Sequence, residues 1–415
     1  MATDIKFYFS TNNNAPQLQN AYGSMIGVLD ACLVNGISLG LISTLTAVGT
    51  TVTAVFSNAH NLMQYQVLKI TGANQAEYNG EHRILTVPNA TSVTFQLANI
   101  PSVTTASGTI IASLPPLDWE KPFSSTNVNG GGKAAYRSKN TLLPSRPYLR
   151  VVDELDPAYT ATYAKFAKVG IVEDMTDINT MLGVQAPYDS ASPDKNWVGT
   201  GTGTSVINGW AKWYYATNGA VNSSFNEITT PASGSRTWIL VGSTDYFYIL
   251  PATSTDNVVK SPYGFGAFDS LLQSDSAANF LSATYDYRAA NSTATKSSFM
   301  STTSSSGGYL LLQRAYSQLA QFKVASCLGL GAASTIDSGA SNYIGSVTLN
   351  STAPFSQVYI KEDVLRGMLK NFYWLYQAYP YTNLQIIENK RQLFIAITVS
   401  ARSSTGQVVL KIGEL

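Results

Sequence analysis

A succession of short alternating apolar runs, cut at close intervals by turn residues, constrains this chain more than any other feature. Val52, Ala54 and Phe56 alternate with threonines, and Leu68/Ile70, Ile84/Thr86, Val93/Phe95/Leu97 and Ile110-Ile111 follow. Gly72-Ala73-Asn74, Asn79-Gly80, Pro88-Asn89 and Ser107-Gly108 stand between them. A period of two puts alternate side chains on one face of a strand, while Gly, Asn and Pro supply the angles that reverse it. Asn-Gly is the strongest short hairpin signal, so a hairpin turn is expected at Asn79-Gly80. Residues 42–114 read as a small all-β module, a barrel or sandwich of about five strands.

Composition extends the β reading to the whole chain. Charged residues make up 12% of it, where about 25% is usual. Ser, Thr, Asn, Gln, Gly and Tyr fill the gap, which suits pleated sheets better than charged helices. With 26 basic and 25 acidic residues and a net charge of +1, no overall field draws the chain to nucleic acid or an anionic membrane. Low charge also weakens self-repulsion, which suits an exterior covered by other copies.

At 415 residues the chain exceeds one ordinary core of roughly 100–200 residues, so more than one domain is expected. Residues 1–41 read as an N-terminal arm and short helix, 42–114 as the β module, and 115–415 as a larger β-rich domain with a C-terminal helix and hairpin. The polar stretch Asp4–Gln19 lacks a period and reads as an arm lying on a neighbour or disordered. Met25, Ile26, Val28, Leu29, Cys32 and Leu33 recur at helical spacing, with Ser24 as N-cap and Asn35-Gly36 as the stop. Gly130-Gly131-Gly132 reads as a mobile loop tip. Residues 237–241 and 246–250 read as core strands, whereas the Ser/Gly-rich stretch 296–345 does not divide into elements. Val364, Leu365, Met368, Phe372, Leu375 and Tyr376 fall on one face of a helix beginning at Lys361-Glu362-Asp363. Gln392–Val399 and Gln407–Ile412 read as a terminal hairpin. No period of 20–50 residues supports a solenoid or propeller.

Cys32 and Cys327 lie in apolar surroundings outside any CxxC pattern and read as buried free thiols. The N-terminus has no signal-peptide pattern, and the apolar stretch 24–56 is too interrupted to span a membrane.

Motifs for chemistry are thin. Gly36-Ile37-Ser38-Leu39-Gly40 has the GxSxG form, but it lacks the strand, turn and helix context of a nucleophile elbow. His60 and His82 read as surface or turn histidines, and Gly329-Leu330-Gly331 as a loop. The acids Asp153, Glu154, Asp156, Glu173, Asp174 and Asp177 could in principle cleave a glycoside or bind calcium, but read first as turn acids or salt-bridge partners. Lys133, Arg137, Lys139, Arg146 and Arg150, interleaved with Tyr136 and Tyr148, could grip phosphates and stack on bases. The adjacent acids make pairing within the protein or between subunits the more economical account. The aromatics of 197–248 could line a sugar-binding surface or belong to a core and its interfaces. No catalytic, cofactor-binding or metal residue is assigned.

Several ordered segments together resemble a family of tailed-bacteriophage virion structural proteins. Ala15-Pro16-Gln17-Leu18 with the stretch Gly23–Gly36 resembles the family's opening. Gly72-Ala73 with Tyr78-Asn79-Gly80 is similar to its β module. Asp118-Trp119-Glu120-Lys121-Pro122-Phe123, Ala135-Tyr136-Arg137-Ser138 and Glu173-Asp174-Met175-Thr176-Asp177 resemble later segments, as does Arg366-Gly367-Met368-Leu369. The resemblance covers roughly the first 180 residues. It implies a non-enzymatic virion component, assembled in the host cytoplasm and present in several copies. Its partners would be copies of itself and other virion proteins, without cofactor, direct nucleic-acid contact or membrane span. Tail or baseplate is the expected place, with a receptor- or glycan-binding protein and a capsid decoration or neck protein as alternatives. A depolymerase-like hydrolase built on the carboxylates of 153–177, tested at Glu154 or Glu173, is a further one. Ser24–Leu33 would anchor the arm, and Trp119 with Phe123 would clamp the module to the main region.

Overall fold

The computed structural model describes residues 3–157, 160–199, 209–219, 231, 233–285, 309–328, 353–375, 380–401 and 404–415. The chain opens with β1 (Lys6–Phe9) and α1 (Ser24–Leu29), which runs on into a π-helical turn over Asp30–Asn35. Then come β2 (Ile37–Val48), β3 (Thr51–Phe56), β4 (Val67–Ala73), β5 (Gly80–Asn89), β6 (Ser92–Gln96) and β7 (Gly108–Leu114). They close a barrel in the order β2-β3-β6-β5-β4-β7. The two-residue period explains the closure: Leu45, Val52, Ala54, Ile70, Ile84, Val93 and Phe95 point inward and are fully buried. At Gly72, φ +82, a Cβ would collide with the Thr109 carbonyl of β7, so only glycine permits that crossing.

The next strands are β8 (Trp119–Thr126), β9 (Gly131–Ser138), β10 (Tyr148–Glu154), β11 (Phe166–Met175), β12 (Met181–Ala186) and β13 (Ala211–Tyr214). They continue with β14 (Trp238–Gly242), β15 (Tyr246–Pro251), β16 (Tyr263–Ala267), β17 (Asp269–Ser270), β18 (Asn279–Ser282) and β19 (Thr284–Tyr285). The last are β20 (Tyr309–Leu312), β21 (Lys323–Leu328), β22 (Ser356–Lys361), β23 (Leu365–Leu375), β24 (Ile386–Asn389), β25 (Gln392–Ala401) and β26 (Ser404–Glu414). A seven-stranded sheet has the order β19-β13-β11-β10-β9-β8, with β12 on β11. A thirteen-stranded sheet runs β1-β14-β15-β16-β18-β20-β21-β22-β23-β26-β25-β24, with β17 on β23. The protein is thus mainly β, a barrel joined to two large sheets.

Three layers follow from which face each side chain takes. Val151, Val169 and Trp213 of the smaller sheet pack against Leu240, Phe247 and Ile249 of the larger, in a core continuous with the barrel interior and α1. The alternate residues Ile239, Val241, Tyr248 and Leu250 point the other way and meet Ile360, Phe372, Trp374, Ile397 and Val408. The large sheet therefore turns back over itself. Covered on both faces, β14 and β15 carry unbroken apolar runs, as strands buried on both sides do.

Several sequence expectations are corrected. The stretch read as an arm is internal: β1 pairs antiparallel with β14 of the same chain, from Lys6↔Gly242 to Phe9↔Ile239. Its four side chains are buried, because Phe7 and Phe9 enter one core while Tyr8 enters the other. Ser24 is not an N-cap. Gly23 holds that position at φ 88, and the Ser24 hydroxyl donates backward to the Ala21 carbonyl at 2.6 Å. Asn79-Gly80 is not a two-residue hairpin turn either. A 3-10 turn over Ala76–Tyr78 intervenes, and the Asn79 side chain ties both the N–H and the carbonyl of Ala73.

The expected C-terminal helix at 361–376 is a strand over its described part, β23. Asn371 takes φ 56, and the register against β22 jumps from Gln357↔Tyr373 to Tyr359↔Met368. This bulge throws the alternation out of phase, so of the residues in that stripe Phe372 and Leu375 are buried three apart and imitate helical spacing, while Leu365 is exposed. Tyr376 lies outside the described residues. The terminal hairpin is present as β25 and β26, in register from Gln392↔Glu414 to Ala401↔Ser404.

Among Gly130-Gly131-Gly132, only Gly130 occupies a loop tip. Gly131 and Gly132 open β9, where a Cβ would strike the carbonyls of Asp153 and Ser125 respectively. Trp119 and Phe123 do not act together. The Trp119 ring lies buried against Phe247 and Phe265, at centroid distances of 5.4 and 5.8 Å, and its Nε1 donates to the Ser243 carbonyl at 2.9 Å. Phe123 packs on Tyr148 in a separate cluster, because the register shifts between Glu120 and Phe123. Cys32 and Cys327 are buried free thiols, as expected. Among the described residues no helix is long and apolar enough to cross a membrane.

Candidate functional site

The groups that the sequence offers for chemistry are dispersed. Ser38 sits exposed near the start of β2, in a strand running from Ile37 to Val48 rather than at a strand-to-helix elbow. His60 is buried, a correction to its surface reading. Its Nδ1 accepts the Leu62 N–H at 2.9 Å and its Nε2 donates to the Ser92 carbonyl at 3.3 Å, while burial lowers its pKa below the ordinary histidine value. His82 stacks on Phe95 at 4.3 Å. Gly329-Leu330-Gly331 lies outside the described residues.

The acids mostly hold the fold together, and two of them are buried rather than in exposed turns. Asp153 of β10 is fully buried. It accepts the Met25 N–H at 3.0 Å and the Tyr215 hydroxyl at 2.8 Å, capping α1 from another strand. Burial raises its pKa to about 6, against the pull of those hydrogen bonds. Asp156 and Lys168 form a buried pair at 2.9 Å. Glu154 faces Lys133 at 3.6 Å, and Glu173 takes Arg314 Nε at 3.0 Å and the Val184 N–H at 2.8 Å.

Glu154 and Glu173 cannot form a glycosidase pair. The β10–β11 register runs antiparallel from Val152↔Lys168 to Tyr148↔Val172, so the two glutamates stand near opposite ends of the strand pair. Seven residues at about 3.3 Å each separate their levels by roughly 23 Å, whereas such carboxylates stand about 5–10 Å apart.

The basic run is consumed within the chain. Arg137 bonds Glu120 at 2.6 Å, Lys139 bonds Asp118 at 2.7 Å, and Arg146 donates to the Ser138 carbonyl. Arg150 is buried, with Nε on the Ile178 carbonyl and its guanidinium 4.5 Å from the Trp197 ring centre. The described aromatics of the region named for a sugar-binding surface are core residues. Trp197, Trp210, Trp213, Tyr214, Tyr215, Trp238, Phe247 and Tyr248 are all buried, so none offers a flat ring to solvent.

Sequence reasoning missed one polar constellation. Arg366 of β23 is fully buried and donates through Nε and a terminal nitrogen to the two oxygens of Asp275, at 2.7 and 2.9 Å. Its other terminal nitrogen reaches the Arg314 carbonyl at 2.9 Å and the Glu362 carboxylate. Burial pushes the Asp275 carboxyl up, but the hydrogen bonds from Arg366, Ser270 and the Ala277 N–H, together with the Arg366 charge, outweigh it and the net shift is downward. Asp275 also borders a cleft of about 500 Å³ lined by Pro144, Ser145, Phe268, Ser270, Gln273 and Lys370, among others. The only trace in the sequence was Glu362 four residues before Arg366, which reads as a helix pair.

Chemically, the cluster is an arginine fork that fixes carboxylates, and the cleft beside it is rimmed by hydroxyls and one lysine. Among the described residues no three His, Cys, Asp or Glu side chains converge to hold a metal.

No family model matches the chain, and no curated protein does. Among solved structures it is weakly similar to the phage phi92 endosialidase, over 91% of this chain and 51% of that one, at 9% identity and a TM-score of 0.15. The chain thus spans about half the length of that protein, and a likeness at this level carries no argument about fold or activity.

Proposed function

We propose that the chain is a structural, non-catalytic component of a tailed-phage virion, of the tail or baseplate, acting by assembly with copies of itself and with other virion proteins. The observation that carries this reading is where the ionisable groups go. Asp153, Asp156, Glu173, Arg83 and Arg366 each tie together segments distant in sequence: Asp156 takes the Gly199 N–H, and Arg83 donates to the carbonyls of Ile5, Tyr65 and Ile412. A rigid subunit uses buried charge in this way, because a charge without its partner is costly. The virion assignment rests on the sequence resemblance.

The test is to locate the chain in purified particles of the phage that encodes it, by mass spectrometry and antibody labelling in electron micrographs. Labelling at the tail or baseplate is the expected result. Absence from mature particles, or sugar release from bacterial polysaccharide by the purified chain, would overturn the reading.

A further inference from the structure

Between Asp30 and Asp118 the charged residues are Lys69, Glu77, Glu81 and Arg83, and all four belong to the barrel or its turns. Two of them are turned toward the rest of the chain. Arg83 is buried on backbone carbonyls, and Glu81 pairs with Lys6 at 3.1 Å. The outer face of β2 and β7 therefore carries no charge, only aliphatic and hydroxyl side chains.

That face exposes large apolar groups side by side. Leu41 and Ile111 are cross-strand partners, 59% and 41% exposed, with Cβ atoms about 5 Å apart in such pairs. Further along β2 lies Val48, 86% exposed. Beside it runs the segment carrying Val103, held to β2 by the Ala47 N–H on the Thr104 carbonyl. These side chains cannot turn inward, because Leu39, Ile42 and Leu45 already fill the inner side of β2.

The two remaining charges bound the strip at its ends. Lys69 stands beside Ser113, whose other neighbour is Ser38 at the start of β2. Glu77 stands at the far end, taking the Ser102 N–H and hydroxyl. A neutral strip with a cation at one end and an anion at the other is complementary to its own copy rotated by a two-fold axis. The Lys69 of each copy then meets the Glu77 of the other, and the Leu41–Ile111 pair of each copy lies over the Val48 and Val103 end of the other's strip.

We propose that the outer face of β2 and β7 is where two copies of this chain associate. The proposal rests on the assembly reading above and names its surface. The test is sedimentation velocity of the full chain over a concentration series. Replacing both Leu41 and Ile111 by Glu should abolish association, with the thermal melt unchanged. Lys69→Glu and Glu77→Lys should each weaken self-association at least about tenfold, since like charges then face each other. Mixing those two variants should restore it, because both rim pairs are again of opposite sign.

Association unaffected by these substitutions, or not rescued by mixing, would overturn this surface and leave assembly standing. A wild-type chain that is monomeric at every concentration would overturn both.

Discussion

The barrel and the stacked sheets solve one problem, burying strands on both sides, by opposite means. The barrel closes on itself, and its interior is filled by Val52, Ala54, Ile70, Val93 and Phe95 with no ion pair inside. The stacked sheets have no such closure. They join distant segments, and polar groups fix their relative position: Trp119 and Trp213 of the smaller sheet donate to the Ser243 and Ser282 carbonyls at the larger one, and Glu173 takes Arg314, while Arg366 with Asp275 and Glu362, and Asp156 with Lys168, tie segments within each sheet. A closed sheet obtains its register from geometry, whereas stacked open sheets can slide unless directional bonds prevent it. The barrel is thus free to present a neutral exterior, and the body holds most of the charge.

The sharpest test of that contrast lies at the junction between the two large sheets. Trp119→Ala removes a buried indole and should cost roughly 4 kcal/mol in urea unfolding, while Phe123→Ala, on the other side of β8, should cost far less. Equal losses would mean that the two residues do form one clamp. Next in size, Arg366→Met leaves Asp275 and Glu362 buried without their counter-charge, and should cost about 3 kcal/mol or more. A loss below about 1 kcal/mol would show that position is set by shape alone.

A pH series sharpens the comparison further. The pKa of Asp153 is about 6 in the folded chain against roughly 3.9 unfolded. The folded state thus holds the extra proton, so the contribution of Asp153 to stability is fully present below about pH 3.9 and is lost as pH rises through about 6. Relative to Asp153→Asn, the wild type should lose roughly 2–3 kcal/mol between pH 4 and pH 7. A difference independent of pH would show that Asp153 is charged throughout. The smallest effect belongs to the barrel surface: Leu41→Ser should change the unfolding free energy by no more than about 0.5 kcal/mol. A larger loss would place Leu41 in a fold-supporting contact.

How much of this was legible in the sequence differs by element. The barrel strands β3 to β7 stood out because each buries one face only, so the period of two survives in the residue order. Its first strand, β2, was partly hidden by the glycine at Gly40, φ 90, where the pairing with β7 shifts between Ser38 and Gly40. β23 was misread because a bulge at Asn371 imitates a helical stripe. The β1 stretch was misread because each of its faces meets a different core, which leaves no single apolar face to recognise. The Arg366 cluster was invisible, since Asp275 and Arg314 lie in connections after β17 and β20 that reach Arg366 of β23 only once the sheet is folded.

The residue order by itself determined that the chain is β-rich, that a small barrel-like unit sits near its beginning, and that its two thiols are buried. Hydrophobic period, turn residues and burial preference are local properties, written within a few positions of one another. Tertiary structure alone decided that the opening segment pairs with β14, that Asp153 caps a helix some 130 positions before it, and that the aromatics of the middle region face a core. Those outcomes depend on which distant strands become neighbours. That is fixed by the joint burial of many faces at once, and no short stretch of sequence contains it.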